Sequence, residues 1–161
     1  MNSITTALYL MLSELGIDFE SKFDRRDIQR KTYLLQALGV DFGFRYKMGY
    51  GKPTYTGLMY RIYDIEDNLN DLKKDFFIKK SLNEKGKKII EKGKNIINKA
   101  EEFNINNEDF MEAIVLMHFL KKEVFYDGDK NQIIKEFKEF KPELKNNKEI
   151  IKELWSIIEE L

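Results

Sequence analysis

The chain has 161 residues, 42% of them apolar and 35% charged, and its 28 basic side chains balance its 28 acids. That length suits one domain, or a small domain with a helical extension, and carries enough apolar surface to bury a core without covalent staples. With no cysteine, disulfides, thiolate zinc sites, iron–sulfur clusters and cysteine nucleophiles are excluded, and the neutral balance means that any nucleic-acid contact has to be local.

Ser3 is a good N-cap, and Ile4, Ala7, Leu8, Met11, Leu12 and Leu15 follow at helical spacing up to Gly16. Asp24, with Asp27 three residues on, opens a second helix that carries Ile28, Leu34, Leu35 and Leu38 and stops at Gly39. Phe42, Phe44, Tyr46 and Met48 then alternate with Gly43, Arg45 and Lys47, the period-two pattern of a half-buried strand. Gly49 to Pro53 reads as a loop. From about Thr56 a third helix is expected on the stripe Leu58, Ile62, Ile65, Leu69 and Leu72, and Phe76-Phe77-Ile78 follows as a short β-prone run. Asn83 caps a fourth helix bearing Ile89, Ile90, Ile96, Ile97 and Phe103. Beyond the polar break at Asn104 to Asn107, three more helices are expected at about 108–125, 130–140 and 147–161, separated by Asp127-Gly128-Asp129 and Pro142.

The N-terminus lacks a basic leader, and no apolar run approaches the roughly 20 residues of a membrane span. A cytoplasmic protein is the expectation. No element requires a cofactor. Gly49-Tyr50-Gly51-Lys52 fails the spacing of a phosphate loop. Asp64, Asp67 and Asp71 share a face of a continuous third helix, as a magnesium-dependent nuclease would need, but the reading taken is a solvated face with Arg61 and Lys74 beside it. His118, the sole histidine, lies among Leu116, Met117, Phe119 and Leu120 and reads as a packed side chain, since no Ser/His/Asp order and no second imidazole accompany it. No catalytic or metal-binding residue is assigned, and the chain reads as a binding protein rather than an enzyme.

Where it binds is suggested by two asymmetries. All five arginines, Arg25, Arg26, Arg30, Arg45 and Arg61, fall within residues 25–61, and six of the eight tyrosines lie within residues 33–63. Arginine's planar fork and tyrosine's amphipathic ring are favoured at recognition surfaces, although tyrosines 33, 60 and 63 also fit a core. Tyr50, Lys52 and Tyr55 flank the glycine-bearing turn, where exposed contacts gather. Charge is uneven as well: residues 79–99 hold eight lysines against Glu84 and Glu91, while residues 100–161 hold nine lysines against 15 acids. Lys85, Lys88 and Lys92 line one face of the fourth helix, with Lys99 one heptad on, either as a solvated face or as a phosphate-contacting one. The closing apolar stripe Ile150, Ile151, Leu154, Ile157, Ile158 and Leu161 packs on the domain or forms a homodimer seam.

Two resemblances bear on the fold. A helix pair, a third helix and then Phe77-Ile78-Lys79-Lys80-Ser81-Leu82-Asn83-Glu84-Lys85-Gly86 resemble the closing wing strand and helix entry of bacterial winged-helix regulators. The segment Arg25-Arg26-Asp27-Ile28-Gln29-Arg30-Lys31-Thr32-Tyr33-Leu34-Leu35-Gln36, with Phe42-Gly43-Phe44-Arg45-Tyr46, the turn from Gly51 to Thr56, Phe110-Met111-Glu112-Ala113-Ile114 and Lys141-Pro142, resembles the YwgA-like family. Lys52 and Thr54 are additions to that family's tight turn. The family is similar in layout to Panacea/SocA-type antitoxin domains, which implies a regulatory or neutralising binder and no catalytic residues.

The fold expected is therefore mainly α with a small β element: a winged-helix-like domain over 1–103 followed by a helical C-terminal extension over 104–161 packed on it. Two functions are carried forward. The first is a winged-helix DNA-binding regulator contacting duplex DNA through Arg25, Arg26, Arg30, Arg45, Lys52 and Arg61, with Lys85, Lys88 and Lys92 on phosphates. The second is an antitoxin-like module that uses the same Arg/Tyr window, Tyr50 and Tyr55 included, to hold a protein partner such as a toxin. The neutral balance and the acids of the third helix favour the second reading, the wing-like entry and the lysine helix the first. The DNA-binding regulator is the reading taken, with the antitoxin-like module as the alternative.

Overall fold

A computed structural model describes residues 3–49, 52–55, 57–78 and 82–161, with backbone alone at 46, 48, 49, 52–55 and 75–78. The chain divides into two compact units, Met1–Lys47 with Thr54–Asn95, and Met48–Pro53 with Ile96–Leu161.

Helix α1 (Ser3–Glu14) has almost no polar face, and the structure explains why. Thr5, Thr6, Leu8, Tyr9, Leu10, Met11 and Leu12 are all buried, which occupies every side of the helix. A helix apolar all round belongs in the middle of its unit. There α1 packs against α2 (Arg25–Ala37), α3 (Leu58–Asp67) and α4 (Leu69–Ile78). Helix α5 (Glu84–Asn98) closes on this group through Gly93, where an added Cβ would stand 3.3 Å from Leu15 and 3.8 Å from Leu38. Asn83 caps α5, its Oδ1 accepting the Gly86 amide at 2.8 Å.

The second unit repeats the plan. Helix α6 (Asn107–Phe119) buries nine of its residues from Phe110 to Phe119 and continues as one π-helical turn, Leu120–Val124. Around it lie α7 (Lys130–Phe140), α8 (Lys148–Glu159) and the 3₁₀ turn Lys99–Phe103. Both α7 and α8 are strongly one-sided: Ile133 and Phe137 of α7, and Ile150, Ile151, Leu154, Trp155, Ile157 and Ile158 of α8, are buried. The α8 stripe read as a possible dimer seam is thus covered inside its own unit, largely by α6. A short ion pair from Lys141 to Glu112, 2.7 Å long with both side chains mostly covered, ties the end of α7 to α6.

The winged-helix expectation does not survive. Its closing strand would begin at Phe77-Ile78, but the β-prone run Phe76-Phe77-Ile78 forms the last turn of α4, and residues 79–81 lie outside the described residues. The local β preference of two phenylalanines and an isoleucine loses to the helical period set by Leu69 and Leu72. The expected third helix is in fact two. Asn68 breaks it by donating both its backbone N–H (3.1 Å) and its side-chain amide (2.8 Å) to the Asp64 carbonyl. A side chain that competes for a helical acceptor in this way ends the helix. Asp71 consequently lies on a different helix from Asp64 and Asp67, and the three-carboxylate face does not form. The architecture is helical, and the paired segments β1 (Tyr46–Gly49) and β2 (Lys52–Tyr55) are a minimal ribbon between α2 and α3, not a wing.

The expected strand over 42–48 also starts late. Gly43 has φ +77°, which favours glycine, and its amide donates to Asp41 Oδ1 at 2.9 Å. Gln36 then clamps the chain to α2: its Nε2 donates to the Phe44 carbonyl and its Oε1 accepts the Phe44 N–H, both at 3.1 Å. Only an amide side chain offers a peptide group this donor and acceptor together. Gln36→Leu should accelerate Phe44 amide exchange at least tenfold and cost about 1–2 kcal/mol, the worth of two part-buried hydrogen bonds. Unchanged exchange at Phe44 would mean that the clamp does not hold this segment.

Candidate partner-binding surface

The start of α2 decides which arginine is available. Asp24 caps the helix by accepting the Arg26 N–H at 2.8 Å, and Arg26 folds its guanidinium back onto the same carboxylate at 3.2–3.3 Å. These bonds from Arg26 hold the Asp24 carboxyl below the usual range, and they compensate the Arg26 charge locally. Arg25, one residue earlier, reaches α3 and lies 5.6 Å above the ring of Tyr63. Arg30, by contrast, is only 9% exposed, so its stem is part of the interior.

Helix α3 turns Leu58, Ile62 and Ile65 inward. Its outward side therefore carries Tyr60, Tyr63, Glu66 and Asp67, all exposed. Tyr60 is 78% exposed and Tyr63, even beneath the Arg25 guanidinium, 45%, large aromatic surfaces to leave open to solvent. Arg61 sits on the flank, bonded at 3.5 Å to Asp64, which also accepts the hydroxyl of buried Thr5 at 3.5 Å. Arg61 is thus tied into the packing between α1 and α3.

Of the residues singled out from sequence, Arg25 is brought onto a tyrosine, Tyr63. Arg26 and Arg61 are occupied by carboxylates, and Arg30 is buried. Arg45 is exposed at the end of the Gln36-clamped segment. Tyr50 lies outside the described residues, as do the side chains of Lys52 and Tyr55. Lys85, Lys88 and Lys92 are exposed on α5. Tyr60 and Tyr63, left as core candidates beside Tyr33, are the residues that the sequence reading undervalued. Only Tyr33 is buried. The signal was present: with Leu58, Ile62 and Ile65 inward at i, i+4 and i+7, positions 60 and 63 have to face out.

Searches against protein-family models, curated proteins and solved structures return no match. Among the described residues, no three His, Asp or Glu side chains gather as a metal-ion nest, and no helix is long and apolar enough to cross a membrane. His118 is buried in α6, its imidazole held down to a pKa of about 4 by burial first and by Lys122 and Lys121 second. The recess at the end of α7, about 310 Å³ and lined by Lys138, Glu139, Pro142, Lys145 and Asn146, is an open polar depression.

Proposed function

We propose that this protein acts by binding a protein partner, with Tyr60, Tyr63 and Arg25 as the centre of the contact. The observation that carries the reading is the pair of exposed tyrosines one helical turn apart with a guanidinium over one ring. Tyrosine and arginine are the side chains most often found as energetic anchors of protein interfaces. Glu66 and Asp67 on the same outward face would repel nucleic-acid phosphates, which argues against DNA as the ligand here. A neutralising or recruiting role of the antitoxin kind is what the YwgA-like resemblance implies, and this surface is compatible with it.

The test replaces Tyr60, and separately Tyr63, with alanine. Both are surface changes, so unfolding midpoints should stay within about 0.5 kcal/mol of wild type. A stoichiometric partner isolated with the wild-type chain and then purified should bind each variant at least about 30-fold more weakly, the effect of losing an anchor of about 2 kcal/mol. A partner that binds the double alanine variant as tightly as wild type would remove this surface from the function.

A further inference from the structure

The structure separates the lysines of α5 into two classes that the sequence could not distinguish. Lys87 stands 3.6 Å from Glu84, and Lys94 stands 3.7 Å from Glu14. Lys99, one heptad beyond Lys92, begins the 3₁₀ turn and is bonded to Glu153 at 2.8 Å. Lys85, Lys88 and Lys92 have no carboxylate within 4 Å among the described residues, and all three are exposed. We propose that these three ammonium groups form a docking face for the phosphate backbone of a nucleic acid, separate from the tyrosine surface of α3 and independent of its role.

Three properties select that ligand. The first is length. At 1.5 Å rise per residue, Lys85 to Lys92 spans about 10 Å. Three ammonium groups spread over that length are far enough apart for each to take a different phosphate of a nucleic-acid strand. The second is the absence of anything else to bind with. The outward side of α5 is completed by Glu84, Glu91, Asn95 and Asn98, all exposed; Ile89 and Ile90 are buried, and Ile96, half-buried, borders the stripe next to Lys92. One half-buried isoleucine at the edge of the stripe is too little apolar surface to enter a bilayer, as surface-lying helices do with a whole apolar face, or to anchor a protein contact. The third is the cation itself. Lysine is a point charge without the planar fork that reads bases, so the face would position a duplex without reading its sequence. Glu91 lies roughly 60° around the helix from Lys88 and opposes the attraction, which sets the scale of binding as weak.

The measurement is anisotropy of a labelled 20-base-pair mixed-sequence DNA duplex, titrated with the full chain between 50 and 200 mM NaCl. Three phosphate contacts give a slope of log K against log salt of about −2.7, a loss of roughly 40-fold across that range. Two unrelated duplex sequences should agree within about twofold. Lys85→Gln/Lys88→Gln/Lys92→Gln should abolish most of the slope, whereas Lys87→Gln/Lys94→Gln should leave it nearly intact. Glu91→Gln should tighten binding several-fold. The proposal is overturned if the wild type does not bind at 50 mM NaCl, or if the Lys87/Lys94 variant loses as much as the triple variant. It is equally overturned if the triple variant instead loses binding to phosphatidylserine vesicles while the duplex is ignored by both.

Discussion

Phe110→Ala should cost the second unit about 3–5 kcal/mol, the range for emptying a fully buried aromatic site. Phe110 has no exposed surface, sits in the first turns of α6 and lies nearly parallel to Phe103, with ring centroids 6.3 Å apart and planes inclined by 19°. Because α6 is the helix on which α7, α8 and the 3₁₀ turn converge, a void at Phe110 removes contacts that no neighbour can relax to replace. The chain's single tryptophan, Trp155, is buried on α8 and reports on this unit, so urea unfolding followed by its fluorescence reads the effect directly. Phe140→Ala is the control: at 39% exposure, its truncation should cost under about 1 kcal/mol. If the two variants unfold at the same urea concentration, α6 is not the hub of the unit.

The same hub was visible in the sequence as composition. The run Phe110 to Leu120 holds one acid and one histidine among apolar residues, which fits a helix buried on all sides, and the first helix has the same character. Side-chain caps were equally legible. Asp24 caps α2 and Asn83 caps α5. Within the polar break, Asn106 caps α6 by accepting the Asp109 amide at 2.8 Å, and Asn104 takes the left-handed conformation that ends the preceding turn. What periodicity could not reveal was competition between local bonds. Asn68 splits a stripe that runs unbroken through Leu58, Ile62, Ile65, Leu69 and Leu72, because its amide takes a helical carbonyl. Gln36 holds Phe44 outside the strand, which begins only at Tyr46. The candidate surface failed in the other direction: arginine content drew attention to Arg26, Arg30 and Arg61, and only their partners in space show that two are compensated by carboxylates and one is interior. Charge counts describe which groups exist; pairing decides which can meet a ligand.

Acid should expose a cost that neutral pH conceals. His118 is 6% exposed, and burial, reinforced by Lys122 and Lys121, holds its pKa near 4 against an ordinary 6.5; a hydrogen bond with the Leu161 backbone opposes the shift. The folded state therefore keeps the imidazole neutral at pH values where the unfolded chain takes up a proton. For a pKa depressed on folding, the unfolded state binds more protons between the two values, so stability falls as pH drops from about 6.5 towards 4 and levels off below. A depression of this size corresponds to about 3 kcal/mol over that window. Carboxylates titrate at the lower end too, so the comparison has to be with His118→Leu, which keeps a buried side chain and removes the titration. Urea unfolding followed by Trp155 fluorescence at pH 7, 6, 5 and 4.5 should show the wild type losing about 2–3 kcal/mol more than the variant, most of it above pH 5 where few carboxylates protonate. Parallel curves for the two proteins would mean that water or a local opening reaches His118 in the folded state, and that α6 is less tightly sealed at its C-terminal end than its burial implies.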